Sequence, residues 1–180
     1  MKKNNNSLLI VLLIILGIFS RLLPHPANFT PLAAIALFSG LYLPHKRFIF
    51  LPLIAMLISD LFIGLYHPAI MASVYLGFLF SGLIGYHLRT RKTILNIGLG
   101  TITGSLSFFF LTNLAVWFWG NLYPLSFAGL SQCFVLAVPF FRHTLAGDLF
   151  YTTILVGGFE FFLAYQQKKK LAVNQSSFSS

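Results

Sequence analysis

The sequence predicts an all-α fold: a polytopic membrane helix bundle of six transmembrane helices, with a re-entrant or interfacial helix in the last outer loop. Three observations carry that reading. Hydrophobic residues make up 57% of the 180 and charged residues only 8%, where a soluble domain carries about a quarter charged. The apolar residues fall in runs that reach or approach the roughly 20 needed to cross a bilayer as a helix. Ten of the twelve lysines and arginines form four clusters separated by pairs of those runs. A net charge of +9 on a soluble protein would suggest nucleic acid. Placed in short loops and at the ends, the same charge orients a membrane protein, and the expected partner is the lipid bilayer, not nucleic acid.

The first run, 8–23, follows Lys2 and Lys3 as the core of a signal peptide would. Its end, GIFSR, lacks the small residue at −3 that cleavage wants, so it reads as a retained first span. The turn RLLPHPANFTP, Arg21 to Pro31, then packs three prolines, an arginine, a histidine and an asparagine between two apolar runs. The second span, 31–44, is short, and Lys46 and Arg47 follow it. Spans 48–66 and 69–88 lead to Arg89, Arg91 and Lys92; span 94–112 opens a long outer segment; span 144–165 ends at Lys168, Lys169 and Lys170.

All four clusters share one face only if 31–44 crosses and 125–141, LSFAGLSQCFVLAVPFF, does not. Hence six spans, with both termini cytoplasmic, and 125–141 as the re-entrant or interfacial helix. Residues 1–170 form one transmembrane domain, and the polar tail 171–180 reads as a disordered cytoplasmic segment. Gly77, Ser81 and Gly85, Gly100 and Gly104, and Ala36 and Gly40 recur four apart, a spacing that lets helices approach closely in lipid.

The chain holds three acids, Asp60, Asp148 and Glu160, all inside predicted spans. An ionisable group there costs several kcal/mol, so it faces the bundle interior or an aqueous cavity. In the six-span topology Asp60 lies about 9 Å, and Asp148 about 6 Å, below the outer face at 1.5 Å per residue. Arg21, Asn28, Asn113, Arg142 and His143 share that level, and Glu160 falls in the inner half. The candidate binding residues are therefore Arg21, Asn28, Asp60, Asn113, Arg142, His143 and Asp148, with Trp117 of NLAVWFWGNLYP as an aromatic wall.

Each has a plainer reading beside it. An arginine at a helix end snorkels to phosphate. Asp60 could pair internally with Arg21 or Arg142, and Asp148 could serve the start of its helix. Asn113 could terminate a helix, Glu160 could reach toward the lysine cluster, and Trp117 could sit in a headgroup belt. His25, His45, His67 and His87 fall at loops or span ends.

Other chemistry is not encoded. There is no P-loop, G-x-S-x-G or H-E-x-x-H, and the single Cys133 excludes an intrachain disulfide or a cysteine-based metal site. No enzyme, cofactor or metal is expected.

RLLPHPANFTPLAAIALFSG, PLIAMLISDLFIGLY and HTLAGDLFYT resemble a bacterial family of small integral membrane proteins of unknown function. The resemblance runs over about 8–165, with P-H-P-x-N-F-T-P and S-D-x-x-I-G as its clearest motifs. The plan is also similar, more distantly, to the substrate-binding S components of energy-coupling-factor transporters. That similarity is one of architecture. It implies a solute site near the outer face and a partnership with a coupling membrane subunit carrying ATPases. The expected function is a substrate-binding or transport subunit for a small organic solute. A stand-alone ion- or proton-coupled permease using Asp60, Asp148 and Glu160, and a non-transport membrane scaffold, are the alternatives.

Overall fold

The computed structural model describes the backbone of residues 3–24, 26 and 28–178, and the side chains of 7–24, 26 and 28–171. Lys2 and His25 lie outside these residues. The chain is helical, and among the described residues it has no strand. In order come α1 (Lys3–Leu22), α2 (Leu32–Tyr42), a 3-10 turn (Lys46–Phe50), α3 (Leu51–Ile63), α4 (Pro68–Leu88) and α5 (Ile94–Trp119). Then α6 (Phe127–Thr152) passes through a π turn (Thr153–Gly157) into α7 (Gly158–Phe178).

Local chemistry places the ends. Pro52 and Pro68 sit in first turns, where a missing N–H costs nothing. Thr93 and Ser126 cap α5 and α6 by accepting the N–H groups of Asn96 and Gly129. Gly64, at φ 109°, stops α3 in a conformation that side chains resist.

Three helices are long and apolar enough to cross a membrane: Pro68–Leu88, Ile94–Trp119, and the continuous rod Phe127–Leu171. Ser7–Leu22 and Leu32–Tyr42 are shorter apolar helices. The outward faces are greasy throughout, with Phe62 74% exposed, Phe127 84% and Ile94 94%. Faces of that kind suit hydrocarbon and not water.

The short α2 is the hub. Its residues from Leu32 to Leu41 are all buried, enclosed by α1, α3, α4, α5, α6 and the π turn. A helix apolar on every side belongs inside a bundle. It meets α4 backbone to backbone: a Cβ on Gly40 would strike the Gly82 carbonyl, and one on Gly85 would strike that of Leu37. Arg89 at the end of α4 donates to the carbonyls of Gly40 and Leu43, closing the C-terminus of α2.

Side-chain contacts also fix direction. The C-terminal ends of α1 and α3 meet through Arg21 and Asp60. The C-terminal end of α2 meets that of α4 through Arg89, and the approach to α5 through Lys92 over the Tyr42 ring. Along α5 and α6, Ser105 bonds Asp148 and Thr101 meets Thr152, so these two run antiparallel. Successive helices from α1 to α6 thus alternate in direction.

One expectation is corrected. Residues 125–141 are not a separate helix, because α6 runs unbroken from Phe127 through Arg142 and His143. No residue between Phe141 and Thr144 stops a helix, and Pro139 lies inside without ending it. The rod from Phe127 to Leu171 is about 68 Å long at 1.5 Å per residue, more than twice a hydrocarbon layer. LAVNQSSF continues α7 as far as Phe178, which the lysines and glutamines before it favour. Likewise the fifth helix extends to Trp119, beyond the predicted boundary at 112.

Candidate functional site

The last residues of the proline-rich turn, Asn28 to Thr30, lie at one end of the bundle. Asn28 takes a positive φ of 62°, a region asparagine tolerates better than most residues. Phe29 then lies against α6, its ring 5.8 Å from Phe150 and 5.5 Å from Tyr151, with its backbone close to Gly147. Aromatic packing pins the turn, and Asn28 overlooks the interior.

Beneath it Arg21 and Asp60 form an ion pair of 2.6 Å, the sole one among the described residues. Asp60 is fully buried, and both its oxygens are taken: Oδ1 by Arg21 and Oδ2 by the Tyr75 hydroxyl at 2.7 Å. Arg21 Nη1 also donates to Ser59 Oγ at 2.5 Å and to the Met56 carbonyl at 3.2 Å. Three helices, α1, α3 and α4, are tied at one point. A buried charge stripped of its partner costs about 3–5 kcal/mol, so this cluster holds the bundle. Arg21 spends one nitrogen on it; Nε and Nη2 have no hydrogen-bond partner among the described residues.

Arg21 lines a cavity of about 330 Å³. Arg21, Asn28 and Thr30 line one part of it, and Thr144 and Asp148 of α6 another. Phe78 and Phe108, ring centroids 4.9 Å apart, form an apolar wall with Val74, and Tyr66 stands at the end of α3. Asp148 is 3% exposed, and its Oδ2 accepts from Ser105 at 2.6 Å. Its Oδ1 has no partner among the described residues. A buried carboxylate normally has its acceptors satisfied. Arg21 and Asp148 both line the space, so a cation and a carboxylate border it together. Such a cavity can hold a small molecule that donates to the acid, accepts from the arginine and lays an apolar face on the phenylalanines.

A second space of about 230 Å³ adjoins it, sharing Asn28, Val74, Phe108 and Thr144. Asn113 belongs to this one, its Nδ2 donating to the Phe109 carbonyl at 2.8 Å. Trp117 lines neither; its Nε1 donates to the Pro124 carbonyl at 3.1 Å and closes the α5–α6 loop. Arg142 and His143 are exposed and line neither space. On a 3.6-residue helix they lie about 120–140° around from Asp148. That angle, not their height, turns them away from both spaces. Glu160, at the other end of the bundle, accepts from the Tyr42 hydroxyl at 2.6 Å rather than reaching alone toward the lysines.

The residues that sequence reasoning missed are hydroxyls and rings: Ser105, Tyr75, Thr30, Thr144, Phe78 and Phe108. Thr144 sits one turn before Asp148 on the same face and was findable by spacing. Ser105 and Tyr75 are partners across helices, and nothing local marks them. No three of the described histidines, cysteines, aspartates and glutamates are grouped to hold a metal ion.

Comparison of the chain with curated proteins and with solved structures gives no match. A family model does match, over residues 1–172, and by it the chain belongs to DUF6580, a family of unknown function.

Proposed function

We propose that this chain is the substrate-binding or transport subunit for a small organic solute in the bacterial inner membrane. It crosses six times with both termini cytoplasmic, and works with a coupling membrane subunit and its ATPases, as energy-coupling-factor S components do. The observation that carries the reading is the cavity lined by both Arg21 and Asp148, where Asp148 accepts one hydrogen bond among the described residues, at Oδ2. Its volume falls within the range of small-molecule sites, which are mostly apolar with a few placed polar groups. The alternation of the helices supports the topology, because Lys46, Arg47, Arg91 and Lys92 then share the end opposite Arg21. Energy must come from a partner, since no nucleotide-binding motif is present.

Melting of the purified protein in detergent, against a panel of vitamins, nucleobases and amino acids, tests the reading. A compound at a hundred times its Kd stabilises the fold by about 2.7 kcal/mol and raises the melting temperature. Asp148→Asn keeps the acceptor for Ser105 and the side-chain volume, yet should lose that shift. A panel without a specific stabiliser, or one that stabilises wild type and Asp148→Asn equally, removes the site.

A further inference from the structure

A larger cavity, of about 470 Å³, lies along the same α5–α6 seam at the other end of the bundle. We propose that it is a second half-site for the same solute, and that the Ser105–Asp148 contact is the partition between the two. The proposal rests on reading the first cavity as a binding site, and it adds a route through the chain and a solute class.

The two spaces stand in series. On α5, Phe108 borders the first, while Ile97 and Thr101 border the second. On α6, Thr144 and Asp148 border the first, while Leu149 and Thr152, with Thr153 of the π turn, border the second. Ser105 bonds Asp148, and one turn further along both helices Thr101 Oγ1 lies 3.5 Å from Thr152 Oγ1. Asp148 faces one cavity and the two threonines face the other, so a single fully buried hydroxyl, Ser105, bridges from wall to wall.

The chemistry of the first space is repeated in the second. The first offers Arg21 and Asp148 with two threonines; the second offers Lys92 and Glu160 with three. Tyr42 holds both charged groups at the second, its hydroxyl on Glu160 and its ring 4.5 Å from Lys92 Nζ. One cation and one carboxylate at each stop suit an amphoteric solute, with a donor group at one end and an acceptor at the other. The π turn Thr153–Gly157 forms part of the second wall. Such turns interrupt the regular ladder and occur often at functional sites, and a Cβ at Gly157 would meet nothing within 4 Å.

Thiol accessibility of the full chain tests this in right-side-out and inverted membrane vesicles, with a charged, membrane-impermeant thiosulfonate as probe. Cys133→Ser removes the native thiol. Val74→Cys then reports on the first cavity and Thr153→Cys on the second. With Ser105 present, Val74→Cys should react only from the outer face and Thr153→Cys only from the inner face. Adding Ser105→Gly should expose Thr153→Cys to the probe from both faces; Asp148→Ala, which removes the same contact, is the second variant. Reaction of Thr153→Cys still confined to the inner face in both variants overturns the partition. Reaction from neither face in the parent overturns the second half-site. A Val74→Cys that never reacts strikes instead at the first cavity, and so at the proposed function.

Discussion

Asp60 and Asp148 are both buried acids near the same end of the bundle, 0% and 3% exposed, but the protein treats their oxygens differently. Asp60 faces a cation and a phenol, and neither oxygen is left over. Asp148 meets one serine and keeps an oxygen toward an open space. The cost of burying a carboxylate is similar in the two places. At Asp60 it is offset within the chain, which makes the residue a structural joint. At Asp148 a single oxygen has a partner among the described residues, and the side chain lines a cavity, which is the contrast the proposed site rests on.

Three variants sharpen or break that contrast. Asp60→Ala leaves Arg21 without its counter-charge and should destabilise the protein by about 3–5 kcal/mol, seen as a large fall in melting temperature and in accumulated protein. A variant as stable as wild type would strip Asp60 of its structural role. Tyr75→Phe removes only the second bond to Asp60, so a loss of about 1–3 kcal/mol is expected for the orphaned oxygen, read from the same melts. Any effect of this variant on solute-induced stabilisation well beyond that would mean the two acids act as one site. Arg142→Ala should change stability by less than about 0.5 kcal/mol and leave solute-induced stabilisation intact, since its side chain is exposed and borders neither space. Loss of that stabilisation would return Arg142 to the site.

The candidate site was legible in the sequence as a level and not as a direction. Counting residues from the helix ends put Arg21, Asn28, Asp60, Asn113 and Asp148 at one height, and the structure gathers all of them at one end around two adjoining spaces. The same count gave Arg142 and His143 equal standing, because height along a helix says nothing of angle around it. The bond from Tyr75 to Asp60 and that from Ser105 to Asp148 were beyond reach, since each joins helices whose relative rotation no local pattern records.

The sequence by itself determined that this chain is helical, that its surface is apolar, and near which residues most of its helices begin and end. Those properties follow from composition, hydropathy runs and the prolines and glycines that punctuate them, all of which act within a few residues. Only the tertiary structure decided that the shortest helix would be the hub, that residues 127–178 would form one rod, and that Asp60 would be sealed while Asp148 stayed half free. Each of those outcomes is set by which faces meet across helices, where a backbone contact such as Gly40 on Gly82 fixes the rotation of everything attached to it.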